Sequence, residues 1–237
     1  MQLLIDLALL VLGYLLGSIP SGLIIVKLKT GKDIRQVESG RTGGTNAMRA
    51  AGFWAGLATA FADILKGAAA VWLAQWLSPG NHWIQMLAPV AAILGHNYSL
   101  YLPEFDEQGH FKRLRGGAGG APALGGAIGL WPPSVLIILP LGAAVFFSLG
   151  YASVTTLSVA FFAILAFGLR LALGAPGAGW PEVFYGVVAG ALLTWALRPN
   201  IKKLFNGTER VVSVSLHGRM KAKQEQRDAA DAIRDVD

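Results

Sequence analysis

Long apolar runs constrain this chain more than any other feature. Seven follow one another, at roughly 2–28, 54–77, 85–102, 119–131, 134–150, 154–173 and 182–198. A soluble domain of 237 residues can bury a core, but it cannot hide this many continuous apolar stretches. Blocks of this kind are the signature of membrane spans. A helix rises about 1.5 Å per residue and the hydrocarbon layer is about 30 Å thick, so the first, second and sixth runs are long enough to cross it. The fourth run is short, with Gly116, Gly117, Gly119, Gly120, Gly125, Gly126 and Gly129 in or just before it. It reads as a half-span or a tightly packed helix, because glycine lets helix backbones approach closely. Composition agrees: charged residues make up only 14% of the chain, where a soluble domain carries about a quarter.

The polar connections predict orientation. Loop 27–49 holds Lys27, Lys29, Lys32, Arg35, Arg41 and Arg49 against Asp33 and Glu38. Loop 103–115 holds Lys112, Arg113 and Arg115, offset by Glu104, Asp106 and Glu107. Arg198, Lys202 and Lys203 follow the last run, whereas loops 78–84 and 174–181 hold no lysine or arginine. Seven spans place the three basic stretches on one side, which the positive-inside rule makes cytoplasmic. Without the fourth span, Lys202 and Lys203 would be forced outside. The expected fold is therefore an all-α integral membrane protein with seven transmembrane helices, its N-terminus outside and its C-terminus cytoplasmic. It is expected to be multi-pass in a bacterial inner membrane with its active face toward the cytoplasm. Residues 1–205 are expected to form the transmembrane domain and 206–237 a charged cytoplasmic tail. The first run has neither a basic leader nor a small-residue cleavage site before the next polar stretch, so it does not read as a signal peptide.

Several function classes recede. The net charge of +6 sits in short loops between apolar runs, so no nucleic-acid partner is expected. The chain has no cysteine, which excludes thiolate nucleophiles and cysteine-held metals. His82, His96, His110 and His217 are scattered without metal-ligand spacing, so no metal site is expected. No internal repeat or inverted pair of broken helices stands out, which disfavours a transporter.

Four stretches carry polar chemistry. Gly17-Ser18-Ile19-Pro20-Ser21-Gly22 interrupts the first run. Proline kinks a helix, and carbonyls freed in a membrane must meet protein or a wet cavity. Ser39-Gly40-Arg41-Thr42-Gly43-Gly44-Thr45-Asn46, closing at Arg49, has the glycines for a tight turn with amides pointing one way. Such a nest suits phosphate, and an arginine fork suits its dianion. Gly95-His96-Asn97 is followed by a second glycine loop, Arg115-Gly116-Gly117-Ala118-Gly119-Gly120. That loop feeds a helix start, again a geometry that favours phosphate. Asp63 and Lys66 are three residues apart, which puts them on one helix face. They read first as a structural pair turned into the bundle. Each of these stretches also has an ordinary reading, as a packing kink, a polar loop or a capping histidine.

Taken in order and spacing, these residues resemble the bacterial integral-membrane acyl-phosphate:glycerol-3-phosphate acyltransferase family. The resemblance covers residues 8–210. It rests on Gly17–Gly22, Asp33-Ile34-Arg35, Ser39–Asn46 with Arg49, Asp63-Ile64-Leu65-Lys66-Gly67, and Gly95-His96. It continues through Gly116–Gly120, the polar run Ser153, Thr155, Thr156, then Asn200-Ile201-Lys202-Lys203-Leu204 and Gly207-Thr208-Glu209. The resemblance implies acyl transfer from acyl-phosphate to the 1-hydroxyl of sn-glycerol 3-phosphate, giving lysophosphatidic acid and phosphate for phospholipid biosynthesis. It implies that Ser39, Arg49, His96 and Asn200 line the catalytic pocket. Gly40, Gly43, Thr45 and Asn46 of the first loop, and Arg115, Gly116 and Gly117 of the second, would bind substrate. The acyl chain would lie along apolar helices among membrane lipids. Because the donor is already an activated mixed anhydride, neither a cofactor nor an acyl-enzyme is expected. Other glycerolipid acyltransferases place an aspartate five residues after a histidine; here those positions hold Leu87, Tyr101, Arg115 and Ala222.

The chain also departs from the family pattern. The second glycine loop of the family reads Gly-Gly-Lys-Gly, whereas Ala118 stands here in place of the lysine. Arg41 replaces an asparagine, Gly44 an alanine, and loop 103–115 is enlarged. Arg41, Arg113 and Arg115 are candidates for the missing charge, and Arg113 or Arg115 is expected to reach the phosphate. Two rival readings remain: a transporter or channel for a small phosphorylated anion, and a lipid-precursor-binding paralogue with weakened turnover. An enzyme would gather its polar residues on one face, a transporter near mid-membrane.

Overall fold

The computed structural model describes residues 1–234; the last three residues of the expected tail, 235–237, lie outside the described residues. The elements in order are α1 (Gln2–Ser18), α2 (Ser21–Thr30), α3 (Gly44–Ala51), α4 (Phe53–Leu77), α5 (His82–Asn97), β1 (Pro103–Phe105), β2 (Phe111–Leu114), α6 (Gly120–Leu130), α7 (Val135–Leu149), α8 (Ala152–Ala172), α9 (Trp180–Phe205) and α10 (Leu216–Arg234). Every apolar run contains a helix. Among the described residues, five stretches are long and apolar enough to cross a membrane: Gln2–Thr30, Phe53–Leu77, Pro132–Leu149, Ala152–Ala172 and Trp180–Phe205. α5 and α6 have 16 and 11 residues and fall short of that length.

The short α6 completes the thickness of the bundle together with irregular backbone. Gln75, near the end of α4, donates to the Gly129 carbonyl at 3.2 Å, so the end of α6 meets the end of α4. Its start packs half-way along α4, where an added Cβ on Gly67 would strike the Pro122 carbonyl and one on Gly125 the Ile64 carbonyl. The glycine loop before α6 therefore dips into the bundle. Irregular backbone at such depth is tolerated where it is buried in protein or lines a cavity.

The break after Ser18 shows how the freed carbonyls are met. Ser99 Oγ donates to the Ser18 carbonyl at 2.5 Å and Lys66 Nζ to the Ile19 carbonyl at 3.0 Å. Small residues carry α1 against α5: Gly17 lies on the Ala92 backbone and Gly95 on the Tyr14 carbonyl. A core built around Ile138, Phe167, Tyr185 and Leu193 joins α5 and α6 to α7, α8 and α9. Tyr185 satisfies its hydroxyl by donating to the Ala123 carbonyl at 2.7 Å.

Two details add to the expected all-α chain with a charged tail from 206. Loop 103–115 contains the antiparallel hairpin β1–β2. Its turn closes through Asp106, whose carboxylate accepts from the Gln108 and His110 amides, and through Gly109 at φ 82°. The expected boundary at 205 also falls inside packed structure. The Val212 amide donates to the Gly150 carbonyl at 2.8 Å, Val211 bridges Tyr151, and Ser215 is fully buried against Gly150.

Candidate functional site

Four segments converge where the loops meet the bundle: the loop before α3, the glycine loop before α6, the start of α8 and the end of α9 with the residues after it. They enclose a cavity of about 610 Å³. One end is polar, with Ser39, Arg41, Arg49, His96, Asn200 and Glu209 on its wall. The other end is lined by Phe53 and Leu57 of α4 and Leu139, Phe146 and Phe147 of α7. Phe53, Leu57, Leu139 and Phe147 are each about half exposed, so the apolar end opens sideways on the outer face of the helices.

The first loop is held by its own asparagine. Asn46 Nδ2 donates to the carbonyls of Ile34, Val37 and Arg41 at 3.2, 2.9 and 2.9 Å. Asn46 Oδ1 is buried without a protein partner. Gly40 takes a left-handed φ of 64°, a conformation that costs a side chain energy. A Cβ there would also meet the Arg115 guanidinium. Gly22 packs on the Thr42 carbonyl, fixing the loop to α2. Arg49 projects from the last turn of α3 and is half-buried with no carboxylate within 4.0 Å among the described residues. Burial pulls its guanidinium below the ordinary value, opposed by the Glu209 charge.

The second loop is threaded over the end of α5. The Gly117 amide donates to the His96 carbonyl at 2.8 Å, and a Cβ on Gly117 would fall on the His96 imidazole. A Cβ on Gly116 would strike the His96 and Asn97 carbonyls. These two glycines are there for close approach and not as an open nest. Gly119, Gly120 and Ala121, where α6 begins, do line the cavity. His96 is buried, with Nδ1 3.7 Å from Asp63 Oδ1, and Asp63 in turn is paired to Lys66 Nζ at 2.9 Å.

The two loops are tied to α9 by Arg41. Its Nη1 donates to the Gly117 carbonyl at 3.0 Å, and its Nη2 to the Ala196 carbonyl at 2.6 Å and to Asn200 Oδ1 at 3.3 Å. Asn200 Nδ2 then donates to Glu209 Oε1 at 3.3 Å, while Ser153 Oγ donates to Glu209 Oε2 at 2.6 Å. The amide of Asn200 is thereby oriented from both sides. At the rim, Arg210 pairs with Glu38.

Among the residues expected from sequence, Ser39, Gly43, Thr45, Asn46, Arg49, His96 and Asn200 all line the cavity. Gly40, Arg115, Gly116 and Gly117 stand behind its wall. Arg115 lies 3.6 Å from Glu104, and Arg113, more than half exposed, lies 2.5 Å from the same carboxylate. Neither arginine supplies charge to the cavity wall, contrary to expectation, because the hairpin keeps both beside its own glutamate. Glu209 is a wall residue that sequence reasoning does not single out. The signal for it is its place in Gly207-Thr208-Glu209, directly after the Asn200 segment.

Residues 7–207 match the family model described as glycerol-3-phosphate acyltransferase. A glycerol-3-phosphate acyltransferase of Rubrobacter xylanophilus is 38% identical over 206 residues, covering 87% of this chain and 94% of the relative. One from Thermus thermophilus is 38% identical over 201 residues, covering 85% and 92%. Among solved structures, the glycerol 3-phosphate form of PlsY (YgiH), an integral membrane glycerol 3-phosphate acyltransferase, superposes with a TM-score of 0.73 at 31% identity, covering 87% of this chain and 95% of that one. Its lysophosphatidic acid form gives 0.71 at 29%, covering 88% and 96%. The chain belongs to the glycerol-3-phosphate acyltransferase family.

Proposed function

We propose that this protein transfers a fatty acyl group from an acyl-phosphate to the 1-hydroxyl of sn-glycerol 3-phosphate, releasing lysophosphatidic acid and inorganic phosphate. The observation that carries this reading is the cavity, cationic and polar at the loop end and apolar where it opens between α4 and α7. Two phosphorylated groups and one acyl chain have complementary places in it. Arg49 grips a phosphate, and the α6 amides face negative charge as helix N-termini favour. Ser39 and the pre-oriented Asn200 position hydroxyl or phosphoryl oxygens. In the reaction the glycerol hydroxyl oxygen bonds to the acyl carbonyl carbon, and the bond from that carbon to the phosphate oxygen breaks. We assign the hydroxyl proton to His96, the histidine on the cavity wall. The remaining work is positioning and charge stabilisation, which suffices for an activated donor. The polar wall lies at the loop end and, among the described residues, no repeated half-helices flank it, which favours an enzyme over a carrier.

The deciding assay uses purified protein with palmitoyl-phosphate and glycerol 3-phosphate, with lysophosphatidic acid followed by mass spectrometry. Acyl-phosphate is expected to support turnover, and acyl-CoA or acyl carrier protein is not. Robust product from acyl-CoA in the absence of acyl-phosphate contradicts the donor assignment.

We further infer seven crossings of a bacterial inner membrane, with α6 and the Gly116–Gly119 loop making the fourth. The N-terminus is then outside and the cavity cytoplasmic. Single cysteines can report this cleanly because the chain has none of its own. Cysteines near 40, 110 and 220 are expected to react only from the cytoplasmic side, and those near 80 and 177 only from outside. Labelling of position 110 from outside rules out the seven-crossing topology.

A further inference from the structure

We propose that Arg41 is the second cationic phosphate ligand of the cavity, acting where the chain has Ala118. The inference rests on the reading of the cavity as a site for phosphorylated substrates. Three observations support it. First, its hydrogen bond to the Gly117 carbonyl at 3.0 Å holds the guanidinium beside Ala118, and both residues line the cavity. Second, none of its partners is a charged group: they are the Gly117 and Ala196 carbonyls and the Asn200 amide oxygen. No carboxylate lies within 4.0 Å of it among the described residues. Glu209, whose charge acts on it from beyond that distance, is itself bound to Ser153 and Asn200. A guanidinium has five N–H donors, and these contacts use three. A cation withdrawn from water without a counter-ion is costly until an anion arrives. Third, Arg41 touches both glycine loops and α9 at once, so an anion bound to it is registered against Asn200, the amide expected to orient substrate oxygens.

A purely structural role is the competing account, with Arg41 acting only as a staple between carbonyls. Arg41→Gln separates the two, because an amide can still donate to carbonyl oxygens but carries no charge. Inorganic phosphate, titrated against purified protein and followed by 31P NMR, is the probe. Arg41→Gln and Arg41→Ala are expected to weaken phosphate binding at least tenfold, and adding Ala118→Lys to Arg41→Ala to restore at least part of it. Arg113→Ala is expected to leave phosphate affinity unchanged. In turnover assays the loss is expected in KM more than in kcat, and the substrate whose KM rises, glycerol 3-phosphate or acyl-phosphate, identifies the phosphate that Arg41 holds. A folded Arg41→Gln protein with wild-type phosphate affinity overturns the proposal, as does wild-type protein that binds no phosphate at millimolar concentration. Arg41-dependent phosphate binding without product refutes the acyltransferase reading and keeps the ligand. Product with Arg41-independent binding does the reverse.

Discussion

Replacing Arg49 by alanine is expected to lower kcat/KM by roughly 30- to 5,000-fold, the equivalent of about 2–5 kcal/mol lost with a buried charged contact. Arg49 sits in the last turn of α3, half-buried on the cavity wall and without a carboxylate of its own within 4.0 Å among the described residues. No internal carboxylate at that distance competes with an external anion for it. Arg49→Lys is expected to remain poor, because an ammonium is a point charge and cannot make the two parallel hydrogen bonds of the guanidinium fork. The measurement is steady-state kinetics on protein whose thermal midpoint matches the wild type. Near-normal kcat/KM in such an Arg49→Ala protein removes the residue from the site.

Ser39, Arg49, His96 and Asn200 are legible in the sequence because each belongs to a short local motif, and the motifs occur in a fixed order along the chain. The helices are legible for a different reason: hydropathy reports the solvent around a segment. That is also why boundaries slip. The last apolar run stops near 198, yet α9 continues through Pro199 to Phe205 as it leaves the apolar layer. Pro199 has no N–H to offer the carbonyl of Trp195, and Arg198 Nε meets that carbonyl at 3.0 Å instead. The third run looks apolar to residue 102, but the helix ends at Asn97 because Ser99 and Leu102 bond to Arg115 as an extension of the hairpin. Contacts between distant segments leave no local pattern at all. Arg41 and Asn200 are 159 positions apart, and Ser153 and Glu209 are 56 apart. In sequence Arg41 is only a departure from the family pattern, and the missing charge falls more naturally to the arginines of the enlarged loop. Their commitment to Glu104 depends on a hairpin that the charge pattern does not reveal.

Replacing Asp63 by alanine is expected to cost about 3–5 kcal/mol of stability, because it strands a buried ammonium. Asp63 and Lys66 are 1% and 6% exposed at the side chain and stand 2.9 Å apart. The ammonium would be left with the Ile19 carbonyl at 3.0 Å, the group freed where Pro20 interrupts the first span. For a chain of this length such a loss corresponds to a midpoint roughly 6–20 °C lower, read as thermal unfolding in detergent. Removing both charges is expected to be milder. Asp63→Ala/Lys66→Met replaces the ion pair with apolar groups, a change that is often close to neutral. It removes one of the two donors to the Ile19 carbonyl, which keeps the Ser21 amide at 3.0 Å, so a cost remains that is smaller than that of a fully unsatisfied group. The double variant is therefore expected to lie between the single variant and the wild type. A double variant no more stable than Asp63→Ala alone contradicts the account of the pair as mutual compensation. Activity supplies the second readout. Asp63 also touches the cavity and lies 3.7 Å from His96 Nδ1, beyond hydrogen-bond length. If the pair is structural, turnover returns with stability in the double variant. Stability recovered without turnover moves Asp63 into the chemistry, as the group that orients His96 once substrate draws the two together.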